Sequence, residues 1–165
     1  MANDQLIAWL NDAYAMEEGL IPVLENHAKD AEREMPEAAV RIRRHIDETR
    51  RHAERVEQCL RELGTSPSTV KSTLSSLIGT VQSVSTGIFR DEPVKNILSD
   101  YSAEEFEVAS YRALAAAATE LGHARIAETC EENMREDEQM ARWLDQQIPI
   151  VVKHMLSKKA AGASR

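Results

Sequence analysis

Residues 101–111 read Tyr-Ser-Ala-Glu-Glu-Phe-Glu-Val-Ala-Ser-Tyr, and this stretch places carboxylates where a helix should be apolar. Glu104 and Glu107 are spaced i and i+3, so they share one face of a helix. Ile97, Val108 and Ala115 fall on the same face, which its apolar spacing predicts to be buried. A buried carboxylate without a partner costs several kcal/mol. The two glutamates therefore indicate a function beyond packing.

Helix-boundary signals divide the chain into four long helices. Proline suits the first turn of a helix, and glycine suits the position just after its end. Prolines inside a helix bend it, because they cannot donate a backbone hydrogen bond. The predicted helices cover residues 3–31 (bent near Pro22), 36 to about 63, 92 to about 121, and 123 to about 157 (kinked at Pro149, with a helical extension beyond it).

The segment from Thr65 to Arg90 is rich in Ser and Thr, with a modest apolar pattern that predicts one short helix. We interpret it as a long crossover between the second and third helices. Four long helices with this connection predict an all-α fold, the ferritin-like variant of the four-helix bundle. We expect a single domain over residues 1–157 and a disordered tail over residues 158–165.

Each of the other three helices also has an acid within its apolar stripe. Glu17, Glu48, Glu104 and Asp137 lie about 12 to 14 residues from the starts of their helices. At ~1.5 Å per residue these heights agree within about one turn. Antiparallel packing should therefore bring the acids into one central layer.

One or two divalent cations would offset the charge of such a layer. Carboxylates and imidazoles suit iron or manganese, and zinc is also accepted by such ligands. The predicted metal ligands are Glu17, Glu48, His52, Glu104, Glu107 and Asp137.

Two of these assignments leave alternatives open. His52 lies four residues after Glu48, and its spacing fits either a direct ligand or a neighbour of the site. His45 is expected to orient a carboxylate. On the fourth helix, spacing from Met134 favours Asp137, whereas Glu138 would face inward if the helix were rotated.

Composition excludes several classes of function. The chain has 165 residues and a formal net charge of -8, which disfavours nucleic-acid binding. It contains no apolar run long enough to cross a membrane. The two cysteines are far apart and fit no metal spacing, so we expect reduced thiols and a cytoplasmic protein.

Four segments resemble the bacterial ferritin-like proteins of the YciE/YciF type: residues 10–17, 45–52, 101–111 and 134–138. The resemblance implies a ferritin-like bundle, a di-metal site akin to that of rubrerythrins, an association with stress responses, and a homodimer. The family often has Glu where this chain has Asp137, and a further acid where it has Ala141. These departures imply weak metal occupancy or an empty site.

Two functional hypotheses follow. The first is a redox protein, an oxidoreductase or peroxidase that uses two metal ions with peroxide or dioxygen as the small oxidant. The second is a non-catalytic structural or interaction protein that keeps the bundle with a degenerate site. It draws support from the absence of the Glu-x-x-His motif. Arg51 lies three residues after Glu48, and Met140 lies three residues after Asp137, where the motif would have histidine.

Overall fold

The computed structural model describes residues 2–68 and 91–163, and these residues form four helices and no strand. The helices are α1 (Ala2–Glu34), α2 (Pro36–Glu62), α3 (Glu92–Glu120) and α4 (Ala124–Ala163). The all-α prediction is therefore confirmed. The short helix predicted within the crossover lies outside the described residues.

Two glycines end helices in the predicted places. Gly64 and Gly122 both have a φ of 78°, which a residue with a Cβ rarely adopts. After α2, the Gly64 N–H donates to the Arg61 carbonyl, and the Thr65 N–H donates to the Leu60 carbonyl. The same pair of bonds follows α3. Both ends are therefore Schellman motifs, which satisfy the last carbonyls of each helix.

Both internal prolines lie inside helices that continue beyond them. Pro22 is within α1, and Pro149 is within α4. The sequence predicted a disordered tail from Lys158, whereas α4 continues to Ala163. Lys158 pairs with Glu34, and the Lys159 Nζ lies 2.9 Å from an Asp91 carboxylate oxygen. These ion pairs connect the last turns of α4 to the C-terminal end of α1 and to the residue that precedes α3.

The core consists of two apolar clusters, one toward each end of the bundle. α1 packs mainly on α2 and α3 mainly on α4, and the two hairpins meet through α1–α3 and α2–α4 contacts. The first cluster includes Leu10, Leu60 and Ile126, and the second includes Leu24 and Leu144. On every helix the buried acid falls between the two clusters. The bundle therefore has a polar layer at its middle.

No helix in the described ranges is long and apolar enough to cross a membrane.

Candidate metal centre

The predicted site residues from all four helices lie in this one buried layer. Glu48 is 8% exposed, and the others are at most 2% exposed. His45 is also buried in the layer. The matched distances of the acids from the starts of their helices account for this arrangement, because the helices pack antiparallel and the extra length of α4 lies at its C-terminal end, beyond the layer.

Glu17, His52 and Asp137 form a first group. One ligand atom from each lies within 4.8 Å of the others. The His52 Nδ1 is 3.3 Å from an Asp137 oxygen and 3.6 Å from the Glu17 Oε1. Tyr111 donates a hydrogen bond to that Glu17 oxygen. The other Glu17 oxygen, both Asp137 oxygens and the His52 Nδ1 have no hydrogen-bond partner within the part of the chain described.

His45, Glu104 and Asp137 form a second group with the same spacing. The His45 Nε2 lies 2.7 Å from the Glu104 Oε1, and the Glu104 Oε2 is buried without a hydrogen bond among the described residues. Asp137 belongs to both groups. Its carboxylate therefore lies between two sets of candidate ligands.

Glu48 and Glu107 lie outside the two groups. The Glu48 carboxylate is 3.0 Å from the His45 Nδ1, 3.2 Å from an Arg41 nitrogen and 3.3 Å from the Arg44 Nε. His45, predicted to orient a carboxylate, contacts Glu48 through Nδ1, and its Nε2 belongs to the second group. Its role at a metal remains a prediction. Glu107 is buried in the same layer.

The structure also separates the three consecutive acids of α4. Asp137 is fully buried, whereas Glu138 faces outward and pairs with Arg112 and Arg142. The Glu136 side chain is partly buried. Of the two acids that spacing left open, Asp137 is the one that faces the layer.

Two polar residues of α4 near the layer, Glu136 and Asn133, were not identified from the sequence. The Glu136 Oε2 is 3.0 Å from the His52 Nε2, and Arg55 contacts the other Glu136 oxygen at 3.1 Å. Arg55 also donates to the side chain of the fully buried Asn133. Asn133 lies four residues before Asp137 and therefore on the same helix face, so its spacing could have identified it. Glu136 had no such signal, because it lies outside the apolar stripe of α4 and contacts His52 and Arg55 of α2.

The ionisation of the layer reflects its crowding. Burial, and then neighbouring carboxylates, raise the pKa of Glu107 and Asp137 well above their usual values. Burial also raises the pKa of Glu104, although His45 opposes it. Burial alone would lower the pKa of His45, but Glu104 and Glu48 raise it to about 10. These shifts favour the protonated forms of His45 and of the buried carboxyl groups, and the layer as a whole favours a positive charge within it.

The residues present fit a transition-metal ion. Buried polar atoms in proteins nearly always have hydrogen-bond partners. Here Glu17, His52, Glu104 and Asp137 each turn at least one unpaired oxygen or nitrogen atom into the same layer. Carboxylate oxygen with imidazole nitrogen is a donor set typical of iron and manganese sites, and zinc also accepts it. A bound cation would both pair these atoms and offset their charge.

These features define a class: an all-α ferritin-like bundle with a buried carboxylate and histidine layer at mid-height. Residues 1–157 match the family described as a domain of unknown function (DUF892). The chain belongs to this family, and the resemblance to YciF-type ferritin-like proteins is thereby confirmed.

Three solved structures show the same fold. A protein from Xanthomonas campestris pv. campestris is 30% identical, with a TM-score of 0.82 over 97% of this chain and 99% of that one. The Escherichia coli stress protein YciF is 22% identical, with a TM-score of 0.79 over 93% and 98%. A Desulfovibrio desulfuricans bacterioferritin, whose structure concerns a diiron site, is 20% identical, with a TM-score of 0.73 over 92% and 82%. The likeness to the last two concerns the fold alone.

Proposed function

We propose that this protein binds iron or manganese in its buried layer and uses the metal in redox chemistry with peroxide or dioxygen, in a stress-related role. The observation that carries the proposal is the convergence of unpaired, buried ligand atoms from Glu17, His52, Glu104 and Asp137. Such atoms are costly in a core unless a ligand pairs with them.

Two ions fit the charge of the layer better than one. Arg41 and Arg44 already offset Glu48. The buried Asp100 is paired with His27, whose Nδ1 lies 2.6 Å from an Asp100 oxygen. Four further buried carboxylates then remain, from Glu17, Glu104, Glu107 and Asp137. Two divalent cations would balance them. The two groups of ligand atoms, with Asp137 common to both, suit this number.

The surrounding residues would hold and shield the metal. When bound, iron or manganese supplies electron transfer and a binding position for a small oxidant. Tyr111 fixes Glu17 through a hydrogen bond and packs edge-on against His52, with 6.2 Å between ring centroids. The apolar clusters on both sides of the layer exclude bulk water from it.

Metal analysis of the reconstituted protein tests the proposal. Protein stripped with a chelator is loaded with Fe²⁺ or Mn²⁺, desalted, and analysed by plasma mass spectrometry. We expect two ions per chain in wild type, a marked loss in Asp137→Asn, and no loss in the control Glu138→Gln. Loaded wild type should also consume hydrogen peroxide faster than the free metal does. Wild type that retains neither metal would refute the proposal.

The second candidate function is a structural or interaction protein that needs no metal. It is favoured by the raised pKa values of Glu104, Glu107 and Asp137, because protons can neutralise the layer instead. It predicts that Glu104→Gln and Glu107→Gln keep or raise the melting temperature at neutral pH. A melting temperature of wild type that rises steeply with added Mn²⁺ would contradict it.

The homodimer expected from the resemblance remains a prediction. Sedimentation velocity at micromolar concentrations tests it, and a strictly monomeric profile would exclude it.

A further inference from the structure

Each of the two buried histidines contacts a carboxylate on one side and the candidate metal ligands on the other. His45 lies 3.0 Å from Glu48 through Nδ1 and 2.7 Å from Glu104 through Nε2. His52 lies 3.0 Å from Glu136 through Nε2, and its Nδ1 faces Asp137 at 3.3 Å. The two rings are therefore oriented in opposite senses.

Arginines hold both outer carboxylates in the charged form. Glu48 accepts from Arg41 and lies against Arg44, and Glu136 accepts from Arg55. An arginine is always protonated, and its contact favours an ionised carboxylate. An ionised carboxylate can only accept hydrogen bonds. The imidazole nitrogen that faces it must therefore carry a proton and donate it.

These contacts assign the two nitrogens of each ring. Nδ1 of His45 donates to Glu48, and Nε2 of His52 donates to Glu136, which leaves Nε2 of His45 and Nδ1 of His52 for the inner layer. A bound cation would replace the proton now shared between His45 and Glu104, as metal binding generally does at imidazoles. The opposite orientations arise because Glu48 is on α2 itself, whereas Glu136 is on α4.

We propose that Glu48 and Glu136 are positioning residues, which present Nε2 of His45 and Nδ1 of His52 to the metal. The inference rests on the proposed function, and it deepens it by giving the site two imidazole ligands. It also changes the role predicted for Glu48, which acts through His45 rather than as a ligand. Carboxylates that orient metal-binding histidines in this way are common in metalloproteins.

Nitrogen NMR tests the assignment directly. Histidine is labelled with ¹⁵N, and long-range proton–nitrogen spectra are recorded on the full chain loaded with Zn²⁺, which is diamagnetic and suits the same ligands. We expect His45 to be metal-bound at Nε2 with a proton on Nδ1, and His52 to show the reverse pattern. The same bound nitrogen in both rings, or no change in either on loading, would overturn the proposal.

Substitutions at α4 test whether Glu136 acts through His52. Glu136→Ala should weaken Zn²⁺ binding about 10- to 100-fold in competition with a chelating dye. Glu136→Gln keeps an acceptor oxygen and should restore most of the affinity. The matched control is Glu132→Ala, because Glu132 contacts the same Arg55 at 2.8 Å but is not placed against His52. Equal loss in the control and in Glu136→Ala would refute the role of Glu136.

An equivalent pair of variants tests Glu48. Glu48→Ala should weaken Zn²⁺ binding and change the ¹⁵N pattern of His45 alone. Glu48→Gln should recover most of the binding. Asp47→Ala is the control, since Asp47 is exposed and pairs with Arg50. Circular dichroism of every variant separates loss of binding from loss of the fold.

The outcomes distinguish the two proposals. If wild type binds neither Zn²⁺, Fe²⁺ nor Mn²⁺, the metal function fails and the positioning roles fail with it. If wild type binds metal, but the alanine variants bind equally well and both histidine patterns are unchanged, only the positioning roles fail.

Discussion

Asp137→Asn should have opposite effects on stability with and without metal. Asp137 is fully buried, and neither of its carboxylate oxygens has a hydrogen-bond partner within the described ranges. Asp137 belongs to both groups of candidate ligands, and within each group the ligand atoms lie within 4.8 Å of one another. The first group also contains the Glu17 carboxylate, and the second contains that of Glu104. The amide is nearly the same size, so the substitution removes an ionisable group and little else.

The magnitude follows from these distances. Two like charges 4.8 Å apart repel by roughly 3.5 kcal/mol at an effective dielectric constant of about 20. Attraction to His45 and retained protons reduce this repulsion. Without metal, we therefore expect Asp137→Asn to raise the free energy of unfolding by about 1–3 kcal/mol. For a chain of this size that corresponds to about 2–12 °C in melting temperature.

Bound metal should reverse the order of stability, so that wild type becomes more stable than Asp137→Asn. A ligand present at about 100 times its Kd stabilises the folded state by roughly 2.7 kcal/mol. Wild type should gain this amount with Mn²⁺, while Asp137→Asn should gain much less because a shared ligand is gone. The melting temperatures of the two proteins therefore cross once the metal concentration is high enough for this gain to exceed the difference without metal.

Thermal denaturation monitored by circular dichroism at pH 7.5 measures the crossing, first with chelator and then along a series of Mn²⁺ concentrations. Glu138→Gln, one residue away and at the surface, should follow wild type throughout. If Asp137→Asn is the less stable protein in chelator, Asp137 is not destabilised by its neighbouring carboxylates. If metal stabilises both proteins equally, Asp137 is not a ligand.

Three further predictions concern the metal-free protein. Its free energy of unfolding, from urea denaturation, should fall as pH rises from 6.5 to about 10, because His45 keeps its proton in the folded state over that window and loses it in the unfolded state. Tyr111→Phe should cost about 1–3 kcal/mol in the same assay, since Glu17 loses its hydroxyl donor. Cys59 and Cys130 are buried, and burial raises their pKa to about 11 and about 12, so a thiol reagent should modify them only on unfolding.

Each of these predictions has a result that contradicts it. Stability that increases between pH 6.5 and 9 would mean that His45 is not held protonated by its carboxylate neighbours. Unchanged stability in Tyr111→Phe would mean that water or another donor satisfies Glu17. Rapid modification of either cysteine in folded protein, at a rate independent of urea, would contradict its burial.

Much of the fold could be predicted from local signals. Pro36, Gly64 and Gly122 mark helix boundaries because their backbone constraints do not depend on the rest of the chain. The tail was different. Helix α4 continues beyond Lys158, where Lys158 and Lys159 pair with Glu34 and Asp91, residues that lie far away in sequence.

The helical rise and repeat are the same in every helix, so the positions of the acids in the sequence were enough to predict that they meet at one height. Which atoms face one another depends on how the helices pack. Spacing places Glu48 and His45 on one face, but Glu48 pairs with Arg41 and Arg44 and does not belong to either group of candidate ligand atoms. Glu136 lies outside the apolar stripe of α4, and only the packing of α2 on α4 brings it to His52. Periodicity fixes the face on which a side chain lies, whereas its partners depend on how neighbouring helices are rotated and on which rotamers fit between them.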